Sequence, residues 1–244
     1  MKNKKSFFIY GPCSIDTEAN LEYIARNLKE MGVKYLRGGA FKPRTSPYTF
    51  KGLNYAGLKI LKRVSKKYNL KSVSEILDVS YLKYFEENID VIQLGARNMQ
   101  NFTLLEEVGK LNKPIIIKRG FMSTIKELLY SIEYILQQGN DNIIICERGI
   151  RTFQQESRFS LDITSIFALK EKTNFPVIVD PSHSTGNANW IMNASFGVMA
   201  AGADGLMIET HQNPFVSLSD ADQIISLEKL KKLHQKVIEI QKIL

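Results

Sequence analysis

Short apolar runs alternate with longer amphipathic runs along the whole chain. The short runs, rich in β-branched residues, predict eight strands, at 6–13, 34–40, 71–75, 91–95, 114–119, 142–148, 176–181 and 205–210. The amphipathic runs predict eight helices, at 17–31, 53–68, 79–88, 102–111, 123–138, 161–172, 189–202 and 219–243. Capping residues support three of these helices, since Asp16 or Thr17, Ser123 and Ser219 stand where they begin.

Eight strands, each followed by a helix, are typical of one large barrel. No linker rich in Pro, Gly or Ser divides the chain. The competing architecture is an open doubly wound sheet, which usually carries a glycine-rich turn after its first strand. The corresponding turn here is Gly11-Pro12-Cys13-Ser14, which has a single glycine. We therefore predict an α/β fold, a (β/α)8 TIM barrel, with residues 1–244 forming a single catalytic domain.

The net charge of +8 raises the question of a nucleic-acid partner. Many of the lysines alternate with glutamates on the predicted helices, at 21–30, 59–67 and 227–242, as they do on solvated helix faces. The sequence also contains no RNA-binding motif and no Cys/His finger spacing. We therefore expect no nucleic-acid partner and favour an enzyme that acts on anionic small molecules.

The chain carries no sequence signal for a membrane or for export. No apolar run approaches the ~20 residues of a membrane span. The apolar stretch at 7–10 is shorter than the ~7–15 residues of a signal-peptide core. Cys13 and Cys146 are too few for a disulfide framework. We expect a cytoplasmic protein without a membrane partner, in which both cysteines are thiols.

Candidate metal ligands follow strands that are neighbours in a closed barrel. The residues after the first, seventh and eighth strands include Cys13, His183, Glu209 and Asp220. A thiolate, an imidazole and two carboxylates suit a divalent transition metal, without selecting between Zn, Mn, Fe and Co. Cys13 also suits a small core position, His183 a structural hydrogen bond and Asp220 the start of the last helix, so spacing alone leaves the metal open. His211 is a weaker candidate, either behind the ligands or on the surface.

Polar residues follow the other strands as well, among them Arg119 and Glu147, and cations dominate. Five cations follow the second, fourth, fifth and sixth strands: Arg37, Lys42, Arg97, Lys118 and Arg148. So much positive charge in one barrel mouth is costly unless an anion shares it, and a molecule with both phosphate and carboxylate would do so. Arg44 and Thr45 could hold a second phosphate. The arginines could instead form surface salt bridges, and Lys118 could instead be a Schiff-base lysine.

Eight motifs occur in order along nearly the whole chain: GPCS (11–14), RGGAFKPRTSPYTFKG (37–52), QLGARNMQN (93–101), IKRG (117–120), ERGIRTF (147–153), DPSHSTG (180–186), IETH (208–211) and LSDADQ (218–223). Together they resemble 3-deoxy-D-arabino-heptulosonate 7-phosphate (DAHP) synthase of the type I beta group. The resemblance implies a (β/α)8 barrel that condenses phosphoenolpyruvate with erythrose 4-phosphate, the entry step of the shikimate pathway to aromatic amino acids.

The resemblance also assigns roles to residues. The implied ligands of one divalent metal ion are Cys13, His183, Glu209 and Asp220. The implied phosphoenolpyruvate site is Arg37, Lys42, Arg97, Lys118 and Arg148, and the implied erythrose 4-phosphate site is Pro43, Arg44 and Thr45. For the chemistry itself we expect Lys118 or His183 to move protons and Glu75 to place a water molecule.

Alternatives from other classes remain. The related 3-deoxy-manno-octulosonate 8-phosphate synthase shares fold and chemistry, but the sequences Pro43-Arg44-Thr45 and Pro181-Ser182 are similar to the heptulosonate enzymes instead. A Schiff-base aldolase and a non-catalytic phosphoenolpyruvate-binding barrel are the other rivals. We expect no appended regulatory domain, leave control by a separate regulatory partner open, and expect a homo-oligomer, since the relatives are often dimers or tetramers.

Overall fold

The computed structural model describes residues 6–42 and 48–243, and its described part contains a closed barrel of eight parallel strands. The strands are β1 (Phe7–Gly11), β2 (Tyr35–Arg37), β3 (Lys71–Ile76), β4 (Val91–Leu94), β5 (Ile115–Lys118), β6 (Ile143–Glu147), β7 (Val177–Val179) and β8 (Gly205–His211). Each strand pairs with the next, and β8 pairs with β1, from Phe7 opposite Gly205 to Gly11 opposite Glu209. The predicted (β/α)8 TIM barrel is confirmed, with strand ends that differ by at most three residues.

Helices cover the outside of the barrel. They are α1 (Glu18–Glu30), α2 (Asn54–Lys67), α3 (Leu82–Asn88), α4 (Phe102–Gly109), α5 (Ile125–Leu136), α6 (Thr164–Lys172), α7 (Pro181–Thr185), α8 (Ile191–Ala200) and α9 (Leu227–Ile243). The eight predicted helices are found, and α7 is an additional short helix in the loop after β7. No helix among residues 6–42 and 48–243 is both long and apolar enough to cross a membrane.

The start of the last helix differs from the prediction. Ser219 does not cap it, because Asp220 adopts a left-handed conformation (φ 51°), a 3-10 turn follows at Ala221–Gln223, and a short strand β9 (Ile225–Ser226) pairs with β8. The cap is Ser226, whose hydroxyl accepts a hydrogen bond from the Lys229 amide. The predicted cap Ser123 is also wrong by one residue: Thr124 and Glu127 form a capping box at the start of α5.

Side chains of the strands alternate between two apolar layers, as the pleat of a strand requires. The barrel interior contains Phe7 and Ile9 of β1 and Ile116 of β5, while the layer between barrel and helices contains Phe8 of β1 and Ile117 of β5. The same alternation continues to the strand ends. It directs Lys118 toward the barrel axis and Arg119 toward the helices, so neighbouring residues in the sequence reach different environments.

Candidate active site

Three of the predicted metal ligands lie together at the carboxyl ends of the strands. The donor atoms of Cys13, Glu209 and Asp220 all lie within 4.8 Å of one another. The Cys13 thiol donates to Oδ2 of Asp220 at 3.0 Å. Glu209, at the end of β8, is fully buried, and its Oε1 accepts a hydrogen bond from Nη1 of Arg37 at 2.5 Å. The pairing of β8 with β1 brings these residues together, since Glu209 is opposite Gly11 in the barrel register.

His183 lies beside this group. Its Nε2 atom is 3.6 Å from Oε1 of Glu209. Its Nδ1 atom is 2.7 Å from Oδ2 of Asp180, and its backbone amide donates to Oδ1 of the same carboxylate at 3.0 Å. A carboxylate accepts, so Nδ1 carries the hydrogen and the Nε2 lone pair points toward Glu209. That is the tautomer a metal-binding histidine needs.

Asp180 could hardly be assigned a role from sequence alone. It is the N-cap of α7, with Pro181 in the first turn, and this local structure points His183 back to its own carboxylate. The second Asp180 contact is a short salt bridge from Nζ of Lys118, which comes from β5 across the barrel. The only local signal in the sequence is an Asp three residues before the His. Asp180 thus connects a candidate metal ligand with a candidate anion-binding lysine.

The donor set fits a divalent transition metal. A thiol, an imidazole nitrogen and two carboxylates are the ligand types that Zn, Mn, Fe and Co accept, and the ligands come from three adjacent strand ends. Burial raises the pKa of the Cys13 thiol to about 12, and the charge of Glu209 adds to this effect. A bound cation removes a thiol proton in spite of such a shift. Nζ of Lys42, 3.0 Å from the sulfur, would also stabilise the thiolate.

Two of the other candidate ligands, Glu209 and His183, are already in the protonation states that metal binding requires. Burial opposes the charge of Glu209, but His183, Arg37 and Lys42 outweigh burial and hold the pKa of that carboxyl below its ordinary value. Burial lowers the pKa of His183, against the pull of Asp180 and Glu209, so the imidazole is neutral at neutral pH. A neutral imidazole and a charged carboxylate both bind a cation without losing a proton.

Four of the five predicted phosphoenolpyruvate-binding cations divide into two groups. Arg37 and Lys42 contact Glu209 and Cys13 and therefore lie beside the candidate metal ligands. Lys118 belongs to neither group and pairs with Asp180, which also contacts His183. Arg97 and Arg148 form the second group around the ring of Phe121, with their Cζ atoms 6.0 and 5.9 Å from its centroid.

Arg148 is the most unusual of these cations. It is 5% exposed, and its buried Nη1 atom has no hydrogen-bond partner in the part of the chain that the structure describes. Its Cζ atom lies 4.0 Å from the centroid of Phe159, so an aromatic ring supports the guanidinium from one side. Burial lowers the pKa of Arg148 to about 10, which still leaves the group charged at neutral pH. A buried charge of this kind is typical of a site that receives an anion.

Arg119 directly follows β5 and Glu147 ends β6, next to Lys118 and Arg148 in the sequence. The side chains of Arg119 and Glu147 nevertheless point away from the mouth of the barrel. Nη1 of Arg119 contacts Oε2 of Glu147 at 3.0 Å and Oδ2 of Asp162 at 2.7 Å. Glu147 is fully buried and also accepts hydrogen bonds from the Ser165 hydroxyl and from the backbone amides of Arg148 and Gly149. Glu147 therefore shapes the turn that carries Arg148 and is not a candidate acid or base.

The other residues predicted from the sequence lie in different parts of the chain's structure or outside its described part. Glu75 is half-buried at the end of β3, accepts from Nε2 of Gln93 at 3.1 Å, and lies so close to Gly95 that a Cβ there would be 1.9 Å from its Oε1. Pro43, Arg44 and Thr45 lie outside the described residues. His211 is buried, not on the surface: its Nε2 is 2.8 Å from Oδ2 of Asp16, and its Nδ1 accepts from a backbone amide.

Comparison with known proteins leads to one family. The model of the DAHP synthetase I family matches residues 2–244. The chain is 46% identical over 229 residues to a phospho-2-dehydro-3-deoxyheptonate aldolase of Thermotoga maritima, an alignment that covers 94% of this chain and 68% of the relative. It is 30% identical over 249 residues to a 2-dehydro-3-deoxyphosphooctonate aldolase of Francisella tularensis, covering 94% and 90%.

A solved structure leads to the same group of proteins. The crystal structure of the Thermotoga maritima DAHP synthase superposes on this chain with a TM-score of 0.96 at 44% identity. The superposition covers 98% of this chain and 70% of that one. The match therefore extends over the barrel as a whole.

Proposed function

The chain belongs to the DAHP synthetase I family of enzymes, and from this premise we propose that it condenses phosphoenolpyruvate with erythrose 4-phosphate and water in a metal-dependent reaction. DAHP synthase activity, the first step of the shikimate pathway, follows from the family and from the 46% identity. The identity of the two substrates and the dependence on a metal are the proposal. The products are DAHP and inorganic phosphate.

The observation that carries the substrate proposal is the buried guanidinium of Arg148. Its Nη1 atom has no hydrogen-bond partner among the described residues, and Arg97 and Arg148 both lie near the ring of Phe121. A guanidinium forms paired hydrogen bonds to phosphate or carboxylate, so a bound phosphoenolpyruvate would satisfy the group. We assign phosphoenolpyruvate to Arg148, Arg97 and Lys118, with Arg37 and Lys42 toward the metal side, and erythrose 4-phosphate to Pro43, Arg44 and Thr45.

The residues that would hold the metal are Cys13, His183, Glu209 and Asp220. When bound, a divalent ion supplies Lewis-acid polarisation of the aldehyde oxygen of erythrose 4-phosphate. Mn, Fe, Co and Zn all suit this ligand set. The cations of the chain bind and orient the two anions, which brings the enol carbon and the aldehyde carbon together and supplies proximity.

The proposed reaction forms one carbon–carbon bond and breaks one carbon–oxygen bond. The enol carbon of phosphoenolpyruvate attacks the aldehyde carbon and forms a carbon–carbon bond, and water adds at the enol ether carbon. Cleavage of that carbon's bond to the phosphate oxygen releases inorganic phosphate. We assign placement of the water to Glu75, and proton transfer to Lys118 or His183, which share Asp180 as a hydrogen-bond partner.

The test of this proposal measures phosphate release from phosphoenolpyruvate with erythrose 4-phosphate, with and without a chelator. We expect release that the chelator abolishes and that added Mn²⁺ or Zn²⁺ restores. Arabinose 5-phosphate in a parallel arm separates the octulosonate reaction, because preference for it would replace the proposed substrate. A Schiff-base aldolase would retain activity in chelator and would be trapped by borohydride at Lys118.

A matched pair of cysteine variants tests the ligand assignment. Cys13→Ser should lose bound metal and turnover together, because a hydroxyl is a poorer ligand than a thiolate. Cys146→Ser changes the other buried thiol, which packs with the apolar side chains of the barrel interior, and should keep its metal. Full metal content and full activity in Cys13→Ser would remove Cys13 from the site.

A further inference from the structure

A buried glutamine joins the candidate metal ligand Glu209 to an arginine of the loop that follows β6. Nε2 of Gln223 donates to Oε2 of Glu209 at 2.6 Å. Nη1 of Arg158 donates to Oε1 of Gln223 at 2.6 Å. Gln223 is 3% exposed and Glu209 is fully buried. Both ends of one side-chain amide are therefore used, in a line that runs from the loop to the ligand.

The partners determine which way the amide points. A guanidinium can only donate and a charged carboxylate can only accept, so the amide oxygen must face Arg158 and the amide nitrogen must face Glu209. A glutamine without Arg158 would lack the first of these constraints. The reversed amide would place its oxygen against the Glu209 carboxylate, which is repulsive.

The backbone around this line supports the same arrangement. Gln223 stands three residues after Asp220 in one 3-10 turn, and the backbone amide of Gln223 donates to the Asp220 carbonyl at 3.1 Å. The Arg158 amide donates to the Thr185 carbonyl of α7, the helix that carries His183, at 3.1 Å. Gly186 lets the loop approach, since a Cβ there would lie 2.6 Å from Cβ of Arg158. Segments bearing three of the four candidate ligands thus meet at Gln223 and Arg158.

We propose that Gln223 is a positioning residue for the metal ligand Glu209 and that Arg158, together with Glu209 itself, fixes the direction of the Gln223 side-chain amide. The inference rests on the proposed metal site. Arg37 holds one oxygen of the Glu209 carboxylate and Gln223 holds the other, so the plane of the carboxylate is determined by two donors. Groups that orient a metal ligand from behind typically change metal affinity about 10–100-fold when removed.

A purely structural role predicts something different. If Gln223 only filled buried space and satisfied its own polar atoms, its loss would change the stability of the protein and leave metal affinity unaltered. If Arg158 acted on Asp220 alone, 3.9 Å away, its effect would add to that of Gln223. If Arg158 acts through Gln223, the effects of the two substitutions on metal affinity should not add.

The experiment measures the dissociation constants of Mn²⁺ and, in parallel, Zn²⁺ for metal-stripped protein by competition with a chromophoric chelator. The proteins are wild type, Gln223→Met, Arg158→Met and the double variant. We expect about 10–100-fold weaker binding for Gln223→Met. We expect a smaller loss of metal affinity for Arg158→Met, because the Gln223 amide stays in place but loses a donor that orients it. The double variant should bind metal no more weakly than Gln223→Met alone.

A second glutamine, in the loop that carries Arg158, provides a control. Gln154→Met alters an exposed glutamine of the same loop that contacts Ser157, and should bind metal as wild type does. The Arg158 side chain is 38% exposed, so Arg158→Met decides the question even where Gln223→Met does not fold. Unchanged affinity in either variant, or effects that multiply in the double variant, would overturn the inference. Wild-type protein that bound neither metal would overturn the proposed metal site itself.

Discussion

Two buried arginines at the ends of neighbouring strands lie in opposite environments. Arg119 follows β5 and lies behind the barrel wall, where Glu147, Asp162 and the Ser123 carbonyl accept its hydrogen bonds. Arg148 follows β6 at the barrel mouth, where an aromatic ring lies against it and its buried Nη1 lacks a partner among the described residues. Each is 5% exposed.

The pKa values of the two guanidinium groups move in opposite directions. Burial opposes the charge in both. For Arg119, Glu147 and Asp162 more than offset burial and raise the pKa above its ordinary value. For Arg148 burial prevails and lowers the pKa to about 10. Removing one partner of a buried charge pair destabilises a fold because it leaves the other charge uncompensated, whereas a buried charge that has no partner already costs stability and suits a site that receives a ligand.

Removing the neutralised arginine should have the largest effect on stability. Arg119→Met leaves the carboxylate of Glu147 buried with one charge partner fewer, and loss of one member of a buried pair costs about 3–5 kcal/mol. We expect that decrease in the free energy of unfolding, measured by urea denaturation. Phosphoenolpyruvate affinity of the folded variant should change little.

A second substitution provides the control for Arg119. The double variant Arg119→Met, Glu147→Gln removes both charges and should recover part of the lost free energy. A change below about 1 kcal/mol in the single variant would contradict the structural role of the pair, because typical surface substitutions already reach half that value.

Replacing the ring of Phe159, which lies against Arg148, should have an intermediate effect. We expect this effect on substrate binding only. Phe159→Leu keeps an apolar side chain but removes the aromatic face, which is worth about 1–2 kcal/mol to a desolvated cation. We expect phosphoenolpyruvate to bind about 5–30-fold more weakly, as measured by titration calorimetry. The matched variant Phe167→Leu, on the half-exposed side of α6, should bind as wild type does. Equal weakening in both variants would show that the ring at 159 has no specific role.

The smallest effect is expected from an arginine whose charge lies in water. Arg63 forms two hydrogen bonds to the carboxylate of Glu18, at 2.6 and 2.5 Å, but both side chains are exposed. Solvent screens such pairs, so Arg63→Met should leave the thermal midpoint and phosphoenolpyruvate binding unaltered within error. A clear loss of stability would indicate that burial is not what separates the three arginines.

The sequence predicts the barrel well because the necessary information is local. A short β-branched run such as that of β5 indicates a strand wherever it stands, and eight of them with intervening helices define the closure. Ser219 shows the limit of local signals. It is a preferred capping residue, but β9 pairs with β8 nearby and delays α9 until Leu227, which is a tertiary effect.

The candidate site could be predicted only as a set of residues. Counting strand ends brings Cys13, Glu209 and Asp220 together, and the structure places their donor atoms within 4.8 Å of one another. The same count cannot tell Arg119 from Arg148, because the difference depends on which carboxylates fold against each one. The sequence does not reveal the link from Asp180 to Lys118 or the link from Gln223 to Arg158 for the same reason: each joins residues far apart in the chain.

The most direct test of the account is a calorimetric titration of phosphoenolpyruvate into wild-type protein and Arg148→Met, with urea unfolding of both. We expect the variant to bind phosphoenolpyruvate about 100-fold or more weakly, because a buried charged contact is removed, while its free energy of unfolding stays the same or rises. Wild-type affinity in Arg148→Met, or a loss of stability as large as that of Arg119→Met, would contradict the claim that this arginine is held open for the substrate.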